Sequence, residues 1–290
     1  MNKNKLQHLI SDTVEKEFTI EQQSSVGGGC INQAWRVSGC DQEYFVKLNQ
    51  SSALDMFKAE FEGLQDLYHT RTLRIPQPLV CDVLDDQSCL VMEYIPLQGC
   101  RDAAAMGRQL AAMHQHTAEQ FGWHRNNTIG STIQQNTWEN EWVTFWRDHR
   151  LGFQLGLAAS KGLGLSVVKM GEKLMDGLDI FFKSYQPQAS LLHGDLWSGN
   201  AACDDQGQPV IFDPAVYYGD READLAMTEL FGGFGADFQA GYRQVWPLDQ
   251  GYSVRKKLYN LYHILNHFNL FGGSYGIQAG QMMEQLLLDQ

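Results

Sequence analysis

The hydrophobic pattern changes character at Pro96, and this change most restricts the fold that the chain can adopt. Before Pro96, runs rich in β-branched and aromatic residues at 34–37, 44–48 and 89–95 predict short strands. Between the second and third runs, apolar residues recur at three- and four-residue spacing from Leu54 to Tyr68, which predicts one amphipathic helix with a buried face. The first part of the chain is therefore predicted to be β-rich with a single helix.

After Pro96 the pattern is dominated by helical spacing. Candidate helices fall near residues 102–118, 137–160, 163–184, 221–232, 253–271 and 276–288, with two short strand-like pieces at 190–192 and 209–212. The sequence thus predicts an α+β protein, with a small β-rich lobe over residues 1–95 and a larger helical lobe over residues 96–290.

Composition narrows the classes of partner. A chain of 290 residues with 43% hydrophobic content can bury a large core. The formal net charge of −12, without a lysine or arginine run, argues against nucleic acid and anionic membranes as partners. No apolar stretch is long enough to span a membrane, which predicts a cytoplasmic protein. The six cysteines lack C-x-x-C spacing and are expected to be free thiols.

The chemistry is concentrated in one segment of the helical part. His193, Asp195 and Asn200 have the H-x-D-x-x-x-x-N spacing of a kinase catalytic loop, and Asp213 follows at the end of an apolar strand-like run. Phosphoryl transfer needs a carboxylate beside the acceptor hydroxyl and oxygen ligands for Mg²⁺ on the nucleotide. Asp195 is predicted to be the general base, and Asn200 and Asp213 to be the magnesium ligands of an ATP-dependent enzyme with a two-lobed protein-kinase-like fold.

Two segments of the first part predict nucleotide contacts. Gly27, Gly28 and Gly29 precede a strand, and backbone without side chains can approach phosphate oxygens closely. The strand around Glu93 and Tyr94 is predicted to offer backbone groups to adenine in an apolar slot. Each segment has a plainer interpretation, the glycines as an ordinary turn and the strand as part of the core.

A buried ion pair is predicted beside the phosphates. Lys47 lies on a predicted strand one hairpin after the glycines, in the place of a lysine that pairs with nucleotide phosphates. Glu60 shares the apolar face of the predicted helix, where an unpaired carboxylate would be costly. A Lys47–Glu60 ion pair would remove that cost, whereas Glu62 falls off the face and is expected to be more exposed.

With these motifs in view, the sequence resembles the fructosamine kinase family. The resemblance is carried by residues 193–200 and 212–225, and it extends to 27–31, 107–111, 136–138 and 230–234. It implies a kinase that phosphorylates the hydroxyl on the third sugar carbon of a ketoamine. Such a ketoamine forms when a reducing sugar rearranges on an amine, and its phosphorylation destabilises the adduct. Trp197, inside the loop, is predicted to stack on the sugar of this substrate, with a core position as the alternative.

The sequence departs from protein kinases in two places, and it leaves two alternative functions open. Gly194 replaces the arginine of the H-R-D motif, and the short distance from Asp213 to the next predicted helix leaves little room for an activation loop, so activity is expected without prior phosphorylation. A kinase of another small alcohol, such as choline, an aminoglycoside or homoserine, would use almost the same phosphate machinery. A nucleotide-binding scaffold without catalysis is the second alternative.

Overall fold

Five antiparallel strands form the sheet of the first structural unit in the computed structural model, which describes residues 2–27 and 32–290. Gly28, Gly29 and Cys30 lie outside the described residues. The strands are β1 (Gln22–Val26), β2 (Gln33–Gly39), β3 (Gln42–Gln50), β4 (Pro78–Leu84) and β5 (Gln87–Glu93), in the spatial order β1-β2-β3-β5-β4. The three strand-like runs of the sequence correspond to β2, β3 and β5.

Two helices pack on this sheet, although the sequence predicts only one. The predicted helix is α2 (Leu54–His69), which buries Phe57 and Leu64 as its spacing requires. The additional helix is α1 (Lys3–Val14), which begins at the side-chain cap of Asn2 and contributes the buried residues Leu6 and Ile10 to the core cluster. Leu9 and Val14 are partly buried and also pack against this cluster, so the apolar residues of α1 have helical spacing, and the prediction of a single helix is wrong.

A later hairpin also belongs to the first unit. Backbone contacts group Met1–Arg101 with Ala201–Pro214, and Asp102–Asn200 with Ala215–Gln290. The hairpin consists of β9 (Ala201–Cys203) and β10 (Pro209–Ile211). Gln98 exchanges two backbone hydrogen bonds with Cys203, and Arg74 pairs with the backbone at Val210. The division therefore differs from the sequence boundary at residues 95 and 96, because these long-range backbone bonds are invisible to local patterns.

Cys100 and Cys203 form a disulfide, so the expectation of free thiols is wrong for these two residues. They are 103 residues apart in sequence, but the backbone pairing of Gln98 with Cys203 brings their Cα atoms to 4.9 Å. Cys40, Cys81 and Cys89 are thiols, as expected.

The second unit is mostly helical. Its main helices are α3 (Ala103–His114), α4 (Trp142–Phe145), α5 (Phe153–Ser160), α6 (Leu165–Asp176), α7 (Glu222–Met227), α8 (Ala236–Val245), α9 (Tyr252–Phe271) and α10 (Tyr275–Leu288). A π-helical segment, Trp146–Gly152, joins α4 to α5. Each predicted helix overlaps at least one of these elements. The helix predicted at 221–232 is shorter in the structure, as α7, and α8 was not predicted. No helix in the described part of the chain is long and apolar enough to cross a membrane.

The second unit also contains two small antiparallel pairs of strands, one of which leads into residues 193–200. β6 (Asn127–Ile129) pairs with β7 (Thr132–Gln134), and β8 (Ser190–Leu192) pairs with β11 (Tyr217–Gly219). The predicted strand at 190–192 is β8, and its partner β11 was not predicted. The chain leaves β8 directly into residues 193–200, so the loop with the predicted base begins at the end of a buried strand.

Candidate active site

Lys47 is the centre of a charged cluster in the first unit. Its Nζ donates to Oε1 of Glu60 at 2.6 Å, which confirms the predicted ion pair, and it also donates to Oδ1 of Asp213. The Lys47 side chain is buried, that of Glu60 is nearly so, and that of Asp213 is about half exposed at 48%. One ammonium is thus shared by two carboxylates, of which one reaches solvent.

The electrostatics of the cluster keep the lysine charged. Burial by itself would lower the pKa of Lys47, but the charges of Glu60 and Asp213 and their hydrogen bonds raise it above its ordinary value. The half-exposed carboxylate of Asp213 can be reached by a cation from solvent. Carboxylate oxygen is a preferred ligand of Mg²⁺, so the donor set fits the predicted metal role of Asp213.

Asp213 has an unusual backbone conformation. Its φ of +57° lies in the left-handed region, which residues other than glycine seldom adopt. Such strain concentrates at functional sites, where the surrounding structure imposes it. The residue follows the end of β10, as the sequence predicts, and the turn directs its side chain to Lys47.

The predicted adenine contacts at Glu93 and Tyr94 lie at the end of β5. The Glu93 amide donates to the Gln77 carbonyl at 2.8 Å, and the Tyr94 amide donates to the Glu43 carbonyl at 3.3 Å. The Glu93 carboxylate is paired with Arg74 at 2.7 Å. Any backbone bond from these two residues to adenine must therefore use their carbonyl oxygens, and their role remains a prediction.

Gly27 is the described part of the predicted phosphate loop. It is exposed, and a Cβ built on it meets no described atom within 4 Å. Packing against the described residues does not require glycine there, whereas close approach of a ligand to the backbone would. Its role, like those of Gly28 and Gly29, remains a prediction.

The second unit holds the predicted base. The Asn200 side-chain nitrogen donates to the Asp195 carbonyl at 2.9 Å and to Oδ2 of Asp195 at 3.2 Å. These bonds close the loop between two residues that are five positions apart. Because the Asn200 nitrogen is used as a donor to Asp195, its Oδ1 is the atom suited to a cation, which fits the predicted metal role.

Asp224, on α7, anchors the start of the loop. Its buried carboxylate accepts the amides of His193 at 2.7 Å and Gly194 at 2.8 Å, and it lies 3.1 Å from Nε2 of His114. Burial alone would raise the pKa of Asp224, but the hydrogen bond and charge of His114, together with the Gly194 amide, hold it below its usual value. The His114 imidazole is in turn bonded through Nδ1 to the Tyr242 hydroxyl at 2.8 Å. Neither His114 nor Tyr242 has a local sequence signal for this role, because both are distant in sequence from the loop.

Gly194 has a structural reason to stand where the H-R-D motif has arginine. Its φ is +81°, and a Cβ built on it would overlap the Ala215 carbonyl group. Both the backbone conformation and the close approach require glycine.

The aromatic residues near the loop divide into exposed and buried ones. Trp197 is 39% exposed and covers Gly199, where a Cβ would overlap its indole ring. Trp142 and Tyr217 are buried and pack with Phe145. Exposure leaves Trp197 able to meet a substrate, and its contact with the sugar remains a prediction.

Comparison with known proteins covers almost the whole chain. The family model described as Fructosamine kinase matches residues 2–289. A protein named Probable ketoamine kinase from Synechocystis sp. is 48% identical over 286 residues, which is 96% of this chain and 94% of that protein. The chloroplastic protein-ribulosamine 3-kinase of Arabidopsis thaliana is 42% identical over 279 residues, which is 95% of this chain and 85% of that protein.

Solved structures agree with the fold predicted from the sequence. A proposed fructosamine-3-kinase from Haemophilus somnus 129PT matches with a TM-score of 0.89 and 26% identity, covering 97% of this chain and 96% of that one. A thermostable mutant of an aminoglycoside phosphotransferase, in ternary complex with AMP-PNP and hygromycin B, matches with a TM-score of 0.63 and 14% identity over 98% and 97% of the two chains. The α+β, protein-kinase-like fold is confirmed.

Proposed function

The chain belongs to the fructosamine kinase family, and we propose on that premise that it transfers a phosphoryl group from ATP to a sugar hydroxyl of a ketoamine. Ketoamine and ribulosamine kinases are the named activities of its relatives. The observation that carries the proposal is the loop in which Asn200 holds Asp195, in a chain that matches the family from residue 2 to residue 289. The third sugar carbon is the proposed position of transfer, which would destabilise the adduct and release the amine.

The nucleotide would be held by residues of the first unit. Lys47, kept charged by Glu60, would pair with its phosphates. Gly27, Gly28 and Gly29 would offer backbone amides to the same phosphates, and the carbonyl groups of Glu93 and Tyr94 would face adenine. Mg²⁺, when bound, neutralises the charge on the phosphate oxygens, and Asn200 and Asp213 are the residues that would ligate it.

Asp195 would act on the acceptor. Its carboxylate would accept the proton of the sugar hydroxyl as the oxygen attacks the transferred phosphorus, and the bond from Asn200 would fix the position of that carboxylate. Trp197, exposed two residues later, would cover the apolar face of the sugar. Because α7 begins at Glu222, nine residues after Asp213 (222 − 213), we expect activity without phosphorylation of the protein itself.

The test is ADP release with magnesium and ATP across fructose-lysine, ribulose-lysine and erythrulose-lysine, followed by choline, homoserine and an aminoglycoside. Turnover of a ketoamine that falls by roughly 10²–10⁴ in Asp195→Asn, with nucleotide binding retained, supports the proposal, since general-base catalysis contributes about that factor. Turnover restricted to another alcohol would overturn the substrate class. Nucleotide binding without turnover of any acceptor would indicate a scaffold.

A further inference from the structure

A chain of buried polar side chains lies beside the catalytic loop in the second unit. Its members are Asn127, Gln134, Asn136, Arg150 and Tyr262, of which Arg150 is fully buried. No carboxylate of the described residues lies within ion-pair distance of Arg150. Its guanidinium is instead held 4.0 Å from the Tyr217 ring and 4.6 Å from the Phe145 ring. A buried cation and several buried amides are costly unless each is hydrogen-bonded, so this polar group requires an explanation.

Arg150 sets the direction of the hydrogen bonds in the chain. A guanidinium can only donate, and Arg150 donates to Oδ1 of Asn136 at 2.8 Å. The Asn136 nitrogen must then be the donor, and it donates to Oδ1 of Asn127 at 2.9 Å. The Asn127 oxygen is thereby committed as an acceptor, and its nitrogen donates to the Val216 carbonyl at 2.8 Å. One donor-only group thus orients two amides in succession.

Gln134 makes a parallel connection. Its nitrogen donates to the same Asn127 oxygen at 2.9 Å and to the Ala215 carbonyl at 3.0 Å, while its oxygen accepts the Tyr262 hydroxyl at 2.8 Å. The carbonyls of two consecutive residues, Ala215 and Val216, are therefore held by side-chain nitrogens whose orientation the chain determines.

These two carbonyls belong to the segment that supports the loop. The Ala215 amide donates to the His193 carbonyl at 2.8 Å, and the Ala215 carbonyl is the group against which Gly194 packs. The His193 and Gly194 amides are held from the other side by Asp224. The peptide groups at the start of the loop are consequently fixed by two supports, one of which ends at Arg150.

We propose that Gln134 and Asn127 are positioning residues for the catalytic loop, and that the chain from Arg150 through their amides holds Ala215 and Val216 so that Asp195 is presented to its substrate. The inference rests on the proposed function for its kinetic test, but its structural test does not need substrate. An apolar replacement of Gln134 and Asn127 would remove the hydrogen bonds to the buried Ala215 and Val216 carbonyls, which is costly. Polar side chains are therefore needed at these two positions.

The decisive variant is Gln134→Glu, with Gln154→Glu as its matched control. Gln154 is also a buried glutamine of the second unit, and its side chain bonds to Asn266 and Asn269 on α9. It also contacts Tyr262, so it touches the chain at that residue, whereas the bonds to the Ala215 and Val216 carbonyls come from Gln134 and Asn127. In the Gln134→Glu variant, the ionised carboxylate has no hydrogen to donate to the Ala215 carbonyl. We expect kcat to fall roughly tenfold or more while KM for ATP changes by less than about twofold, because a misplaced base affects only the transition state. The ratio of variant to wild-type kcat should rise from pH 8.5 to 6.5, since burial at this position favours the neutral carboxyl, and a protonated carboxyl can donate again.

Two further measurements, the pH profile of Gln134→Met and amide hydrogen exchange, test the proposal. Gln134→Met removes the donor at all pH values, so its kcat ratio should show no such rise. Amide hydrogen exchange over residues 190–196 and 215–219 should accelerate in both Gln134 variants and not in Gln154→Glu. Equal kcat losses in Gln134→Glu and Gln154→Glu, or unchanged exchange in the two segments, would overturn the positioning role. Absence of ketoamine turnover in the wild type would instead refute the proposed function and leave the exchange experiment to decide this inference.

Discussion

Replacement of Gly194 by alanine tests whether the loop requires glycine because of contact or only because of its backbone angle. A residue with a Cβ in the left-handed region costs about 1–2 kcal/mol, and the φ of +81° places Gly194 there. The new Cβ would also lie 2.8 Å from the Ala215 carbonyl carbon and closer still to its oxygen. Because these are backbone atoms, the segment must move, and overpacking of this kind costs about 1–3 kcal/mol more. We therefore expect Gly194→Ala to lose about 2–5 kcal/mol of unfolding free energy.

Gly162→Ala supplies the control for this experiment. Gly162 belongs to the same unit and has a φ of +90°, but a Cβ there meets no described atom within 4 Å. Its substitution should cost only the backbone part, about 1–2 kcal/mol. Urea denaturation of both variants gives the two losses, and ketoamine turnover should fall strongly in Gly194→Ala alone. Equal losses of stability with retained turnover would show that the close approach to Ala215 has been misjudged.

Two further predictions use different measurements, steady-state kinetics for Glu60 and unfolding free energy for His263. Glu60→Gln should reduce kcat/KM for ATP by roughly tenfold, because a neutral amide orients the ammonium of Lys47 less well than a carboxylate does. The control variant, Glu62→Gln, should change kcat/KM for ATP by less than about twofold. Similar effects of the two substitutions in steady-state kinetics would argue against a role for the ion pair. Burial lowers the pKa of His263 from 6.5 to about 3. The unfolded state therefore binds the extra proton below pH 6.5, and stability is lost as the pH falls from about 6.5 towards 3. Between pH 7.5 and 5 the wild type should lose about 2 kcal/mol more than His263→Leu in urea titrations, and parallel pH profiles would contradict this assignment.

The parts of the fold that could be predicted are those whose signal is local. The helix α2 was found because one face of its sequence is apolar, and the same geometry selected Glu60 rather than Glu62 as the partner of Lys47. The loop at 193–200 was found because phosphoryl transfer demands a carboxylate and an amide at a fixed spacing. In each case the prediction depends only on residues that are close together in the sequence.

The parts that could not be predicted depend on contacts between distant residues. Nothing in the sequence around Asp224 shows that its carboxylate accepts two backbone amides from 31 and 30 residues away. The pairing of Cys100 with Cys203 follows from a backbone bridge and not from cysteine spacing. Arg150 resembles any helical arginine in sequence, and its burial follows from rings contributed by other segments.

The interrupted path of the chain through the first unit has a consequence for its biosynthesis. The sheet and α2 are complete once residue 101 has been made, but the hairpin that completes the unit is added only after another 99 residues, 102–200, have been translated. Until then Lys47 lacks Asp213, and Arg74 lacks Asp204, 130 residues further along. Contacts of such separation form slowly. On the ribosome, the nascent first unit therefore stays incomplete, with some of its charges unpaired, while residues 102–200 of the second unit are made. We expect the chain to be most prone to association with other protein chains during this interval.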